Sequence, residues 1–148
     1  MRLLSLVVIP ALVLALAGCA DSAGPLVLPA SEKSCADSTA MTDAVFALTI
    51  KNAGPHPIAI TSLAFDASSH VRVKGSWVGD DTATRQAIPG ATVPGNMQST
   101  ITVRLALTSS STKGVASDLT VKYTDADRQR YVATSAAVIG FGPGGTCG

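Results

Sequence analysis

The sequence has few aromatic residues, few histidines and no marked excess of charge of either sign. Its 148 residues include one Trp, two Tyr, three Phe and two His, and 11 Lys and Arg stand against 10 Asp and Glu. Proteins that bind nucleic acid use basic surfaces for the phosphates, and those that hold single strands also use aromatic rings on which bases stack. A nearly neutral chain with so few rings therefore argues against nucleic acid as a partner.

Signatures of enzymes and metal sites are also missing. The sequence contains no G-x-S-x-G, H-E-x-x-H, C-x-x-C or Walker motif. His56 lies between two prolines in a turn and His70 precedes a strand, so neither has the neighbouring Cys or His that zinc requires. The acidic pairs Asp80-Asp81 and Asp125/Asp127 fall in separate turns, and each is short of oxygen ligands for calcium. We therefore expect no catalytic residue, metal or cofactor, and an enzyme with dispersed catalytic residues is the least favoured alternative.

The longest apolar run lies at the N-terminus. Arg2 gives a short positive start, and the run from Leu3 to Leu16 is broken by one serine and one proline. This length is typical of a signal-peptide core and is too short to be interpreted first as a membrane-spanning helix. The run closes with Leu16-Ala17-Gly18-Cys19, which is an aliphatic residue, two small residues and a cysteine.

These four residues resemble the lipobox of bacterial lipoproteins. The resemblance implies that residues 1–18 are a lipoprotein signal peptide, that the chain is cut before Cys19, and that the Cys19 thiol receives a diacylglyceryl group, with acyl chains such as palmitate. The domain would then be lipid-anchored at the cell membrane or outer membrane and face the periplasm or the cell exterior. Ala20, rather than Asp, follows the cysteine, which by the same resemblance argues against retention in the inner membrane. The alternative is an ordinary secretory signal with an accidental cysteine.

The two remaining cysteines form an even pair. If Cys19 carries lipid, Cys35 and Cys147 are left in an exported chain, where disulfides persist. A bond between them would close a loop of about 110 residues and add on the order of 4 to 5 kcal/mol in the chain-entropy model. We expect this disulfide, and the alternatives are two free thiols or pairing with a partner chain.

Residues 19–43 are predicted to be a lipid-anchored tether. They contain two prolines, scattered Ser and Thr, and little sustained periodicity. Leu26-Val27-Leu28 lies between the prolines and could form only a short edge strand. About twenty extended residues would span some 65 Å and lift the domain clear of the lipid surface.

From Ala44 onward, apolar residues recur with the period of two that is typical of half-buried strands. A change of phase within one strand predicts a bulge near Thr61-Ser62 that keeps its apolar residues in the core. The segment from Arg130 is apolar enough to be buried on both faces. The pattern predicts strands at Ala44–Lys51, Ile58–Phe65, Val71–Trp77, Thr82–Ile88, Ile101–Thr108, Leu119–Thr124 and Arg130–Ile139.

Turn motifs between these strands resemble those of bacterial immunoglobulin-like modules. They are Lys51-Asn52-Ala53-Gly54, Pro94-Gly95 and Tyr123-Thr124-Asp125. The resemblance covers residues 44–139 and implies an all-β, immunoglobulin-like antiparallel β-sandwich of about seven strands, with no activity attached. The Cys–Trp–Cys core of antibody domains is absent. Residues 140–148 form a glycine-rich C-terminal tail.

Trp77 is the remaining singular residue. It alternates with Val71 and Val73, which predicts a core position; if exposed, it would be a contact for a partner or a glycan. Together these features predict a lipid-anchored cell-envelope lipoprotein. Its non-catalytic sandwich would bind a protein partner or support an envelope assembly. The alternative is a ligand- or glycan-binding surface lipoprotein, with its site among the loops at one end.

Overall fold

The computed structural model describes residues 24–37, 43–108 and 113–142, and these residues form β-strands joined by turns and short loops. The signal peptide, Cys19 and the end of the glycine-rich tail lie outside the described residues. Within the described ranges, no helix is long and apolar enough to cross a membrane.

Ten strands are arranged in two five-stranded sheets. The order is β1-β3-β8-β5-β6 in the first, named sheet A, and β2-β10-β9-β4-β7 in the second, named sheet B. The strands are β1 (Leu26–Val27), β2 (Lys33–Asp37), β3 (Asp43–Asn52), β4 (Ile58–Ser69), β5 (Val71–Val78), β6 (Gln86–Ala87), β7 (Thr92–Val93), β8 (Gln98–Leu107), β9 (Gly114–Thr124) and β10 (Arg130–Gly142).

The inner faces of both sheets meet in one hydrophobic core, as the period-two pattern predicts. Each long strand contributes alternate side chains, because successive residues of a strand point to opposite faces. Ile101, Val103 and Leu105 of β8 are fully buried, as are Leu119 and Val121 of β9. The prediction of an all-β sandwich is therefore confirmed. The number of strands exceeds the expected seven, and one pairing, between β2 and β10, is parallel.

The predicted bulge in β4 is confirmed. The register of β4 against β9 shifts between Ile60 and Ser62. Beyond the shift, Leu63 and Phe65 lie opposite the buried Val121 and Leu119. Without the extra residue these two apolar side chains would point to solvent, since a one-residue slip moves every side chain to the other face.

The expected tether is too long. Leu26 and Val27 pair with the end of β3, and β2 pairs with β10 from Lys33 onward. Leu26 is only 5% exposed. Residues 24–37 therefore belong to the sandwich, and the boundary at residue 43 is corrected. The short edge strand expected at Leu26-Val27-Leu28 is present as β1. Local pattern gives no sign of β2, because its five residues form a strand only against a partner that is distant in sequence.

The last strand also differs from its prediction. β10 continues to Gly142, three residues past the expected end at Ile139. Its first half is buried on one face only, because Val132, opposite Lys122 on the outer face, is 60% exposed. In its second half the consecutive Ile139 and Gly140 are both buried, so the expected burial on both faces holds only there.

Candidate functional site

Trp77 lies on the outer face of sheet A, which corrects its expected place in the core. In an antiparallel pair, directly opposite residues share a face. Val73 lies opposite the fully buried Leu105, whereas Trp77 lies opposite Thr102, on the other side of β8. A register shift between Val73 and Gly75 inserts one extra residue into β5, and such a bulge exchanges the two faces of the strand. The indole therefore leaves the core and lies half-buried on the surface.

Arg85 covers one face of the Trp77 ring. Its guanidinium carbon lies 4.9 Å from the ring centroid, within the range of a cation–π contact. Thr102 lies between Trp77 and Ala47 on neighbouring strands and is only 8% exposed. Arg85 and the indole are thus in contact on the outer face of sheet A.

A shallow hollow of about 310 Å³ opens beside the indole. It is lined by Gly75, Ser76, Trp77, Arg85, Ala87 and Arg104. Gly75 lies next to Arg104 on β8, and on the far side Arg104 faces Val45 of β3, which is 55% exposed. The hollow therefore combines an aromatic ring and two guanidinium groups. The exposed aliphatic side chain of Val45 lies beyond Arg104 on the same sheet face.

The two tyrosines form a second aromatic cluster, at the end of sheet B. Tyr123 and Tyr131 are stacked with ring centroids 5.4 Å apart. The Tyr123 hydroxyl accepts a hydrogen bond from the Leu26 backbone N–H, at 3.2 Å. The Tyr131 hydroxyl donates to the Asp125 carboxylate, at 3.0 Å. A hollow of about 480 Å³ adjoins this pair, and it is lined by Thr61, Lys122, Tyr123, Thr124, Arg130, Tyr131 and Val132.

These contacts raise the pKa of both phenols above the ordinary value. For Tyr123 the main cause is burial, which disfavours the phenolate. For Tyr131 it is the hydrogen bond donated to Asp125, which the phenolate could not make. Both hydroxyls and the facing rings are therefore already engaged in holding β1 and the last hairpin. This cluster is structural, and the Trp77 hollow is the better candidate for a binding surface.

The Asn52 side chain connects two of the turn motifs on which the immunoglobulin-like resemblance rests, namely Lys51-Asn52-Ala53-Gly54 and Pro94-Gly95. The side chain is fully buried. Its amide nitrogen donates to the carbonyls of His56, Val93 and Pro94 at 2.8, 3.1 and 3.1 Å. Its side-chain oxygen accepts from the Gly54 N–H at 3.0 Å. One side chain thus ties the β3–β4 turn to the segment before β8.

The acidic turns use their carboxylates to hold the backbone. Asp81 accepts from the Ala83 N–H at 3.0 Å, and Asp125 accepts from the N–H groups of Asp127 and Gln129, each at 2.9 Å. Such Asx contacts are the local reason for aspartate in turns. Among the residues that the structure describes, no three His, Cys, Asp or Glu side chains are grouped closely enough to hold a metal ion.

The histidines and cysteines occupy separate places. His56 is exposed in the β3–β4 turn. His70 is exposed and lies between β4 and β5, with a left-handed φ of 55°, where the chain passes from sheet B to sheet A. Cys35 lies on β2, opposite Gly140 of β10. Cys19 and Cys147 fall outside the described residues, so lipidation and the disulfide stay predictions.

Sequence reasoning named Trp77 as a possible contact but missed its companions. The outward position of Arg104 follows from the alternation of β8, because its neighbours Val103 and Leu105 point inward. Gly75, inside an apolar strand pattern, was the available signal of the bulge. Nothing local places Arg85 over the indole, because that contact depends on how the chain returns through β6.

Neither a protein-family model nor a curated protein matches the sequence. Among solved structures, PapD-like domain 7 of human CEP192 has 7% identity and a TM-score of 0.47, covering 97% of this chain and 94% of that one. The YadV chaperone has 12% identity and a TM-score of 0.48, and the match covers 84% of this chain and 54% of the chaperone. The VesB protease of Vibrio cholerae has 13% identity and a TM-score of 0.47, and the match covers 80% of this chain and 32% of the protease. This chain therefore spans about a third of the length of the protease. These likenesses concern the fold alone, and no function follows from them.

Proposed function

We propose that this chain is a non-catalytic, lipid-anchored protein of the cell envelope whose sandwich docks a protein partner. The docking surface is the outer face of sheet A around Trp77. One observation carries the proposal: the bulge in β5 moves the only tryptophan of the chain out of the core and onto an uncovered sheet face.

The composition of this face supports a protein partner. Trp and Arg are enriched at the centres of protein interfaces, where they supply most of the binding energy. Here Trp77, Arg85 and Arg104 surround one shallow hollow, and Val45 adds exposed apolar area beside them. A shallow, open surface of this kind suits another protein better than a small molecule, which needs a cleft that encloses it.

The anchor belongs to the same proposal and has its basis in the lipobox residues. With Cys19 acylated and the first strand of the sandwich beginning at Leu26, the linking residues 20–25 could span at most about 20 Å. The domain would thus stand close to the membrane, on the periplasmic or outer side. Partners that meet it would be envelope proteins.

Cross-linking in cells tests the docking face. A photoreactive amino acid is placed in the full chain at Val45 on the outer face of sheet A. The matched control carries it at Val132 on the outer face of sheet B, since these valines are 55% and 60% exposed. We expect a discrete protein adduct from Val45 that disappears with Trp77→Ala. Adducts that are the same from both positions, or that survive Trp77→Ala in a protein of unchanged melting temperature, would contradict the proposal.

Replacing Cys19 with Ser tests the anchor separately. Several acyl chains hold a protein on a bilayer far more firmly than one does, and without the thiol no chain can be attached there. We expect the variant to lose incorporation of labelled palmitate and to leave the detergent phase. Continued labelling in Cys19→Ser would show that the lipobox interpretation is wrong.

A further inference from the structure

Cations outnumber acids on the strands of the outer face of sheet A. Strand register places Arg104 on this face next to Gly75, Arg72 opposite Ala106, and Lys51 opposite Gln98. Arg85 joins them through its contact with Trp77. Asp43, opposite Ala106, is the one acid that register places among them.

The two arginines beside the indole have unused hydrogen-bonding capacity. Within the described part of the chain, neither guanidinium is paired with a carboxylate, and both arginines are exposed. The acidic turn between β5 and β6 contains Asp81, whose carboxylate accepts from the Ala83 N–H. Guanidinium groups carry planar forks of donors that match the two oxygens of a carboxylate.

We propose that this face recognises an acidic peptide segment of the partner, with carboxylates on Arg85 and Arg104 and an apolar side chain against Trp77 and Val45. This inference rests on the proposed function, since it names the chemistry of the partner that docks there. Charge complementarity is its basis: Arg85 and Arg104 lie beside the indole of Trp77, and Val45 lies next to Arg104, so a segment that alternates acidic and apolar residues would satisfy both.

The geometry favours a peptide over a glycan or a lipid surface. Sugars bind tryptophan by stacking on the ring, and here the Arg85 guanidinium already covers one ring face. An anionic bilayer would meet the acids that border the face, namely Asp43 and the turn at Asp80-Asp81, and these would repel a uniformly negative surface. A discrete segment can avoid them.

Intrinsic fluorescence gives a site-specific test, because Trp77 is the only tryptophan in the chain. Full-length protein in neutral detergent is titrated with a synthetic peptide of alternating Glu and Leu, and with its Gln and Leu counterpart. We expect the Glu peptide alone to change the emission of Trp77, with binding that weakens as salt is raised. Arg104→Gln should weaken binding about fivefold, as the loss of one exposed charge pair predicts. Arg130→Gln, which removes an exposed arginine from sheet B, should leave binding unchanged.

Other outcomes would overturn the inference. Equal binding of the Gln peptide would make the contact purely apolar. If Arg104→Gln and Arg130→Gln weaken binding of the Glu peptide equally, the binding is non-specific electrostatic attraction. If anionic phospholipid vesicles or a polygalacturonate oligosaccharide, but not the Glu peptide, change the emission in an Arg104-dependent way, the ligand is a lipid or an acidic glycan. If the Glu peptide fails while the Val45 cross-link persists, the docking face stands and only its acidic partner is wrong; loss of both rejects the face.

Discussion

Replacing Asn52 with Ala should destabilise the sandwich more than any other single polar change in its turns. The substitution leaves the His56, Val93 and Pro94 carbonyls and the Gly54 N–H without their partner. The bond to Val93 is buried, and a buried polar group left unpaired costs about 1 to 3 kcal/mol. The other three bonds are partly accessible to water and add roughly 0.5 to 1.5 kcal/mol each.

These ranges add up to about 2.5 to 7.5 kcal/mol. Because two amide hydrogens are shared among three carbonyls, we expect the lower half of that range, about 3 to 5 kcal/mol, which is a large share of the 5 to 15 kcal/mol that typically stabilises a domain. Thermal unfolding followed by circular dichroism should show a melting temperature lower by roughly 10 to 20 °C. Asn52→Asp separates hydrogen bonding from packing, because it keeps the shape but turns acceptor oxygens toward three carbonyls. We expect it to be at least as destabilising as Asn52→Ala. Lys51→Ala, at the exposed neighbouring position, should change stability by less than about 0.5 kcal/mol. An Asp variant that melts like the wild type would refute the reasoning.

Three further predictions concern the core, the tyrosines and the cysteines. Val103→Asp should abolish the β-sheet circular dichroism signal, because burying an unpaired carboxylate costs several kcal/mol; a folded variant would contradict the assigned inner face. Titration of phenolate absorbance should give both tyrosines a pKa above the ordinary value of 10, and Asp125→Asn should lower the pKa of Tyr131. The stability from this raised pKa is present below pH 10 and is lost as the pH rises through the folded value. Peptide mapping without reduction should recover Cys35 joined to Cys147, and two freely alkylated thiols would reject the disulfide.

The long strands could be predicted because buried and exposed residues alternate along them with a period of two, which is visible in the local sequence. In β8, Ile101, Val103 and Leu105 are all fully buried and the residues between them face outward. The bulge in β4 could be predicted for the same reason, since a phase change leaves apolar residues on the wrong face unless one residue is inserted.

The strand β2 could not be predicted, because its partner lies far away in the sequence. β2 has no apolar alternation of its own, and it forms against β10, about a hundred residues later. For β1 the apolar Leu26-Val27-Leu28 indicated a short edge strand, but not its partners, which are the end of β3 and the hydroxyl of Tyr123. A segment whose own residues have little β-propensity can become a strand by hydrogen bonding to the edge of a sheet. The local sequence pattern does not reveal such a strand.

The candidate docking face shows that the overall composition of a chain does not predict the charge of one of its surfaces. The whole chain is nearly neutral, with 11 cations against 10 acids, and that average argues against extended polyanions such as nucleic acid. However, a partner meets one face rather than the average, and Arg85 and Arg104 both lie beside Trp77 in one hollow. The field at a contact depends on charges within about a Debye length, roughly 10 Å at moderate salt. A neutral chain can therefore carry a locally cationic surface, and because that surface is small and bordered by acids, it fits a short acidic segment better than a long polyanion.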